Sequence, residues 1–373
     1  MSVRSARVAI VGGGLSGLLA ALLLEQQGVP DVVLLEARST FGGRILSVDA
    51  AGHTVNPLTP GTDRFDLGPS WFWPDYQPQL DGVVNALGLE CFEQFEAGDM
   101  VVERALQAPP QRMRGYTSSP TSMRMVGGTG ALIAAICRRL DPARLFPDHV
   151  VKGLRKLGDG VELVSQRTAG ELTRWQVAHV LLALPPRLAA QLAFTPPLPP
   201  ELALRWQATA TWMAPQAKYV AVYERPFWRD VGLSGAARSA HGPMAEIHDA
   251  SMPGGHAALF GFLGVPAAVR GPVGGDALRA HCRAQLRRLF GDQAGTPVAD
   301  ALKDWATDPL TATPQDQMAS GHHVEAPPHS AENGDWAGVL DGIASEWSPQ
   351  FPGYLAGAAD AAVRGVQHVV TRS

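Results

Sequence analysis

The chain has 373 residues, 46% of them hydrophobic and 18% charged, with a formal net charge of −4. This length exceeds what one hydrophobic core usually holds, so we expect two domains. The absence of a basic excess argues against nucleic acid or a membrane as a partner. The three dispersed cysteines exclude a disulfide framework and fit a reducing cytoplasm.

The first predicted elements form a βαβ unit. The apolar run at residues 8–11 is typical of a buried parallel strand, and Gly12-x-Gly14-x-x-Gly17 follows it at once. An apolar helix over residues 18–24 leads to a second strand at 32–35. That strand is closed by Glu36, so strand, glycine turn, helix and acidic residue are all in register for dinucleotide binding.

The glycines, the start of the helix and the acidic residue of this unit each have a physical role. Gly12 allows the tight turn, Gly14 lets the backbone approach a pyrophosphate, and Gly17 lets the helix pack on the strand. The helix N-terminus, which includes Ser16, offers free N–H groups to the phosphates. The Glu36 carboxylate accepts hydrogen bonds from ribose hydroxyls, and its charge disfavours a 2′-phosphate.

The N-terminus does not read as an export signal. Arg4 and Arg7 precede an apolar stretch, but glycines interrupt it. The apolar span 18–24 is far too short to cross a bilayer. We therefore expect a cytoplasmic protein.

A pattern that ends in an arginine follows the second strand and helps to decide which dinucleotide is bound. Glu36-Ala37-Arg38 is followed by Phe41-Gly42-Gly43-Arg44, and this GGR places a guanidinium fork beside the pyrophosphate. The stretch resembles the FAD-binding N-terminus of the flavin amine oxidase family, which includes monoamine and polyamine oxidases.

The resemblance continues in blocks along the chain. Asp66-Leu67-Gly68-Pro69-Ser70-Trp71 resembles the segment whose backbone passes close to the flavin ring. Residues 126–130 resemble a GG block that opens a helix, and residues 180–186 an apolar strand ending in Pro-Pro. Residues 144–152 resemble the strand that holds the adenine, which makes Val151 the implied contact.

The strand with a lysine is the most specific block. Lys218 to Tyr223 alternates as a strand does, and in the family this lysine binds a water that bridges to flavin N5. A lysine in an apolar strand is costly to bury without a partner, which favours a functional role for Lys218. The alternative is an edge lysine that guards against aggregation.

The last blocks lie near the C-terminus. Trp305 resembles the tryptophan that packs beside the flavin ring, and Ala344-Ser345-Glu346 stands where the family has Gly-Thr-Glu. Gly353-Tyr354-Leu355 resembles the start of the final helix, whose N-terminus points at the flavin C2 carbonyl. The resemblance places Tyr354 on an aromatic wall that faces the substrate.

Several positions depart from the family pattern. The position of the cysteine that binds FAD covalently in monoamine oxidases falls at Pro314, so the resemblance implies non-covalent FAD. The second cage tyrosine falls at about Gln315, and Trp71, Trp73 or Trp347 would have to supply the missing face. The segment between residues 78 and 127 is also short, so we expect a more open entrance.

The resemblance implies an α/β fold with a discontinuous, Rossmann-type FAD-binding domain like that of glutathione reductase. We expect this domain at residues 1–78, 132–208 and 307–373. An inserted α+β substrate-binding domain is expected at 79–131 and 209–306. The oligomeric state stays open, a homodimer included.

The implied function is that of an FAD-dependent oxidase. A small amine is converted to an imine, which hydrolyses to an aldehyde or ketone, and molecular oxygen is reduced to hydrogen peroxide. Lys218 and Tyr354 are the expected catalytic residues. The expected cofactor-binding residues are Gly12, Gly14, Ser16, Gly17, Glu36, Ala37, Arg38, Gly43, Arg44, Gly68, Pro69, Ser70, Trp71, Val151, Trp305, Glu346, Gly353, Tyr354 and Leu355.

Two other functions stay open at this point. One is a flavin-dependent dehydrogenase or desaturase of a biosynthetic intermediate, because protoporphyrinogen and carotenoid enzymes share the N-terminal blocks. The other is a non-catalytic FAD-binding interaction protein. We expect no metal site, since His322, His323 and His329 lack an acidic or cysteine ligand at metal spacing.

Overall fold

The computed structural model describes residues 2–167, 169–317 and 325–371. The strands in these ranges are β1 Ser2–Val11, β2 Val32–Leu35, β3 Ser47–Val48, β4 Phe65–Asp66, β5 Cys91–Glu93, β6 Asp99–Glu103, β7 Gln111–Arg114, β8 Met123–Met125, β9 Leu145–Phe146, β10 His149–Leu157, β11 Gly160–Arg167, β12 Leu172–Leu182, β13 Ala193–Thr195, β14 Ala217–Tyr223, β15 Leu233–Ser239, β16 Met244–Asp249, β17 Ala257–Leu263, β18 Ala299–Asp304 and β19 Leu340–Gly342. The α-helices are α1 Leu15–Gln26, α2 Pro78–Ala86, α3 Gly130–Cys137, α4 Pro186–Ala189, α5 Pro200–Ala208, α6 Phe227–Asp230, α7 Ala267–Arg270, α8 Gly275–Phe290 and α9 Leu355–Thr371. Among the described helices, none has the length and apolar character that crossing a bilayer requires.

The N-terminal βαβ unit is confirmed. The strand β2 has the predicted bounds, whereas β1 begins six residues before the predicted start at Val8. Residues 2–5 of β1 are exposed and pair with the beginning of β12, with Ser2 opposite Thr173. The apolar pattern marked only the buried part of the strand, because pairing at an exposed sheet end needs no apolar side chains.

The larger sheet has the strand order β13-β10-β11-β12-β1-β2-β9, and β19 also pairs with β12. The strands β12, β1, β2 and β9 run parallel, so their carboxyl ends meet along one edge. Parallel strands are buried on both faces, which explains the continuous apolar runs in β1 and β2. This edge of the sheet is where a ligand of an open α/β fold binds.

Helices cover one face of this sheet with an apolar core. Leu18 of α1, Ile133 of α3 and Ala359 of α9 are fully buried there. Leu80 and Val84 of α2 join the same core, although the predicted boundaries assign α2 to the substrate-binding segment. The opposite face is packed by tryptophans, among them Trp206 and Trp347. The last helix thus lies directly beside the glycine-rich turn.

The second sheet has the order β18-β14-β17-β16-β15-β6-β7 and is antiparallel except between β15 and β6. The side chains of β14, the second strand in this order, alternate between two apolar environments, because successive side chains point to opposite faces. Tyr219 packs toward α8, whereas Val220 and Val222 pack with Phe65 and Leu67 of the neighbouring domain.

The position of β14 decides between the two interpretations of Lys218. This strand pairs with β17 on one side and β18 on the other, with Lys218 opposite both Phe262 and Lys303. The edge-lysine alternative is therefore wrong. By alternation, Lys218 shares the face of Val220 and Val222, which packs against Phe65 and Leu67.

Candidate functional site

The turn after β1 is built by glycines that admit no side chain. Gly12 has a φ of +108°, and a Cβ there would lie 2.6 Å from the carbonyl oxygen of Ala183. A Cβ on Gly17 would lie 2.0 Å from the carbonyl oxygen of Gly12. Both contacts are with backbone that cannot move aside, so the turn and the first helical turn are locked together as predicted.

Gly14 differs from Gly12 and Gly17 because a Cβ there would make only ordinary van der Waals contacts. Its nearest neighbours would be Gly42 and Gly43, at 3.9 and 4.0 Å. Gly14 also forms a backbone bridge with Gly42, and no side chain caps the start of α1. A glycine-lined cradle therefore lies at the positive end of a helix, which is an arrangement that fits a phosphate group.

The carboxylate of Glu36 closes the other end of this cradle. It is buried, and it accepts hydrogen bonds from the Gly13 N–H at 2.6 Å and the Arg38 N–H at 2.8 Å. The N–H of His149, at the start of β10, donates to the Glu36 carbonyl oxygen, which brings Val151 to this end of the site. The Arg38 guanidinium donates to Asp308 at 2.8 Å.

Arg44 links the N-terminal turn to the C-terminal segment. Its guanidinium donates to both carboxylate oxygens of Glu346, with Nη2 at 3.0 Å from Oε2, and to the Ser345 hydroxyl at 3.1 Å. Burial disfavours the Arg44 charge, but Glu346 outweighs it and raises the pKa of the guanidinium. The start of α9 packs behind this pair, because a Cβ on Gly357 would lie 3.0 Å from the Ser345 carbonyl oxygen.

Lys218 projects from β14 onto the segment between Leu67 and Trp71. Its Nζ donates to the Gly68 carbonyl at 3.0 Å and the Ser70 hydroxyl at 2.6 Å, and lies 4.0 Å from the centre of the Phe260 ring. The side chain is 2% exposed. Burial lowers the pKa of Lys218 to about 7, which the nearby Asp66 carboxylate opposes only partly. The amine is thus poised between its two protonation states near neutral pH.

The same segment is fixed from two further directions. The Trp305 Nε1–H donates to the Leu67 carbonyl at 3.0 Å. Asp66 Oδ1 accepts from both the N–H and the hydroxyl of Thr129, each at 3.0 Å. A Cβ on Gly68 would lie 2.0 Å from the Arg44 carbonyl oxygen, so this glycine permits the close approach. The predicted cradle, the Gly68–Trp71 segment and Lys218 therefore form one continuous line.

An aromatic wall stands at the start of α9. Tyr354 is 39% exposed, and its ring centre lies 5.0 Å from that of Trp212 and 6.3 Å from that of Trp73. Partial burial raises the pKa of the Tyr354 hydroxyl. Trp347 lies elsewhere, because it is buried against Trp206 and donates to Pro328. It therefore cannot supply the second cage face that the sequence left open.

Trp71 also packs away from Tyr354. Its ring contacts His248 at 4.8 Å and Phe260 at 5.2 Å, and its Nε1–H donates to Gln94. Since Phe260 lies beneath Nζ of Lys218, Trp71 supports the lysine rather than the wall. Gln315, at the position of the missing tyrosine, is exposed.

Sequence reasoning missed three residues of this arrangement, namely Trp212, Ser345 as a partner of Arg44, and Phe260. Trp212 carries no motif and reaches Tyr354 only through tertiary packing. No sequence signal pointed to Trp212, because the segment before β14 that carries it is fixed by a distant buried carboxylate. Asp316 accepts hydrogen bonds from the N–H of Thr211 at 3.0 Å and from Thr313.

Comparison with known proteins identifies a family whose sequence pattern matches most of this chain. A model described as flavin containing amine oxidoreductase matches residues 91–370, and one described as NAD(P)-binding Rossmann-like domain matches residues 10–87. AofH of Mycobacterium tuberculosis, provisionally named a flavin-containing monoamine oxidase, is 30% identical over 66% of this chain and 52% of its own length. Putrescine oxidase of Kocuria rosea is 29% identical over 50% of this chain and 41% of its own. The chain thus spans about half the length of these curated relatives.

A solved structure of a putrescine oxidase variant shares the fold. It superimposes with a TM-score of 0.79 at 19% identity, and the alignment covers 100% of both chains. This likeness supports the predicted fold class, an α/β chain with a Rossmann-type domain and a second domain. The predicted residue boundaries of the domains stay a prediction.

The open position at Gly14 predicts a variant that folds but does not hold a flavin. Gly14→Val places a branched side chain in the cradle without meeting any atom closer than 3.9 Å at Cβ. We expect flavin content after purification to fall more than about tenfold while the far-UV spectrum stays unchanged, because the branched chain excludes the phosphate. The matched control is Gly275→Val, where a Cβ also meets nothing within 4 Å. Equal flavin content in both variants would contradict this use of the cradle.

Burial of Lys218 predicts a stability that rises with pH. Its folded pKa of about 7 lies below the ordinary value of 10.5, so between these values the unfolded chain binds the extra proton. Relative to Lys218→Met, the wild type should gain up to about 1.4 kcal/mol of unfolding free energy per pH unit from pH 7 to 10. Chemical denaturation of both proteins in a constant excess of flavin measures this slope. A difference that stays flat across this range would show that Lys218 is not buried as a neutral amine.

Proposed function

The chain belongs to the flavin-containing amine oxidoreductase family, and from this membership we propose that it is an FAD-dependent oxidase of a small amine. The substrate would be converted to an imine that hydrolyses to an aldehyde or ketone, and oxygen would be reduced to hydrogen peroxide. The observation that carries the proposal is the line joining the glycine cradle, the Gly68–Trp71 segment and the buried amine of Lys218.

The residues present fit FAD as the flavin. The cradle at Gly14 and the uncapped start of α1 suit a pyrophosphate, and the buried Glu36 carboxylate suits a ribose without a 2′-phosphate. Arg44, Glu346 and the start of α9 continue the line toward Lys218. When bound, the flavin supplies the acceptor of the electron pair that leaves the substrate.

We propose that this FAD is held without a covalent bond. The position of the family's cysteine is occupied by Pro314, at the start of a short 3-10 helix. Cys137 and Cys282 are buried inside α3 and α8, where burial raises the pKa of their thiols to about 11 and about 12. Cys91 lies in β5, opposite Met125. None of these thiols is placed among the residues of the cradle and the lysine strand.

The aromatic wall is our proposal for the amine-binding surface. The rings of Trp73 and Trp212 both pack against the ring of Tyr354. Such a surface orients the carbon chain of an amine by shape, and it attracts a cationic amine through the ring faces before deprotonation. Two indoles in place of the family's second tyrosine give a broader surface than a two-tyrosine cage, which favours a bulkier apolar substituent on the amine.

The proposed role of Lys218 follows from its surroundings. With a pKa near 7, its Nζ holds a proton below neutral pH and offers a lone pair above it. The hydrogen bonds to the Gly68 carbonyl and the Ser70 hydroxyl hold Nζ in one position. The buried amine can therefore hold or accept a proton at a defined place beside the reacting atoms, in a site that excludes water.

The proposal is tested by anaerobic bleaching of the flavin. The purified yellow protein is mixed without oxygen with a panel of primary amines, N-methylated amines, polyamines and amino acids. Bleaching by an amine, followed by peroxide release when air is admitted, is the expected result. Bleaching without peroxide would favour a dehydrogenase, and a flavin that no member of the panel reduces would overturn the proposed oxidation.

Replacement of Lys218 tests whether its buried amine acts in the reaction or in the binding of FAD. Lys218→Met should retain FAD, because the thioether chain fills the same apolar space, and should slow flavin reduction or reoxidation by about 10²- to 10⁴-fold. Stopped-flow absorbance measures both half-reactions with the best amine of the panel. Lys156→Met, on the hairpin between β10 and β11, is the matched control and should react at the wild-type rate. Wild-type rates in Lys218→Met would remove this residue from the mechanism.

A further inference from the structure

A second cluster of functional side chains lies at the other end of α9. Asp341 of β19 is 1% exposed, and three histidines surround its carboxylate. Its Oδ1 lies 3.0 Å from Nδ1 of His329 and 3.2 Å from Nδ1 of His368, and its Oδ2 lies 2.7 Å from Nε2 of His179. The proposed oxidation uses none of these groups.

The donor set has the geometry of a cation site. One oxygen of Asp341 and the Nδ1 atoms of His329 and His368 all lie within 4.8 Å of one another. A cation with bonds of about 2.0–2.2 Å to oxygen and nitrogen separates its ligand atoms by about 3 to 4.5 Å, depending on the geometry. Imidazole nitrogens with one carboxylate select divalent ions of the zinc class over magnesium or calcium.

The surroundings meet a further requirement of a metal site. The other oxygen of Asp341, Oδ2, contacts the buried His179, and this hydrogen bond fixes the orientation of the carboxylate as partners behind a metal ligand do.

The cluster is also accessible. The side chains of His329 and His368 are 33% and 38% exposed, in contrast to 2% for Asp341. An ion can thus enter from the solvent and complete its coordination with water. A purely structural hydrogen-bond network would also explain the contacts of Asp341. Such a network does not require two partly exposed imidazoles to direct their Nδ1 atoms at the same carboxylate oxygen.

We propose that His329, Asp341 and His368 bind one divalent transition-metal ion of the zinc class, with His179 as the orienting partner of the carboxylate. The ion bridges the loop before β19, the strand itself and the last turns of α9. His368 lies 13 residues after Leu355, about 20 Å along the helix, so the site is separate from the flavin end. Its role is to clamp α9 against the larger sheet.

The test measures zinc uptake by the flavin-loaded chain without an affinity tag. The protein is treated with chelator, dialysed against Zn²⁺, and its metal and flavin contents are determined. The wild type should bind about one Zn²⁺ per chain and should unfold at a higher temperature with the ion than without it. His329→Gln and His368→Gln should each weaken binding by about tenfold or more, and the double variant should show neither uptake nor a thermal shift.

Two controls make the result specific. His256→Gln removes another histidine paired with one aspartate, Asp63, and should leave uptake unchanged. His322 and His323 lie outside the described residues, so the variant with both changed to Gln is included, and it too should keep the ion. Unchanged flavin content in all variants shows that they fold. Absence of Zn²⁺ in the wild type, wild-type uptake by His329→Gln and His368→Gln, or loss of uptake only in the His322/His323 variant would overturn the proposal.

Discussion

The arrangement of the site depends on the ion pair between Arg44 and Glu346. These residues are 302 positions apart, and their contact joins the loop after the glycine turn to the segment that leads into α9. The Glu346 side chain is 3% exposed and that of Arg44 is 27% exposed, so solvent compensates little for the loss of either partner. A charge left here without its partner costs several kcal/mol. The ion pair therefore holds the loop after the glycine turn and the segment before α9 together.

A second constraint concerns a charge that has no such partner. Lys218 lies in an interior strand, with its Nζ 4.0 Å and 5.6 Å from the ring centres of Phe260 and Phe262 in β17. Its Nζ donates to a carbonyl and a hydroxyl, and among the described residues no carboxylate bonds to it directly. The fold therefore keeps this amine only by lowering its proton affinity. A structural role could be filled by an apolar residue at no such cost, which is the physical reason to regard Lys218 as functional.

The sequence predicted features that local physics fixes. The glycines of the first turn and the strand at residues 32–35 agree with the structure. Contacts that only tertiary packing creates were not predictable, such as Trp212 beside Tyr354. The pairing of the exposed residues 2–5 in β1 was missed for a related reason, since an exposed strand carries no apolar period. The site was thus predictable as a set of blocks but not as a set of contacts.

The cluster at Asp341 shows the same limit more sharply. Its ligands come from a loop, a strand and a helix, 12 and 27 positions from Asp341, and no spacing rule for metal sites covers such distances. The sequence grouped His329 with His322 and His323 instead, and it predicted no metal site because no acidic or cysteine ligand stands at metal spacing. In the structure, β19 carries Asp341 only four residues before Ser345, and α9 carries His368 near one end and begins beside Tyr354 at the other. A clamp at the far end of α9 would therefore hold the helix that Arg44 and Glu346 position at its near end.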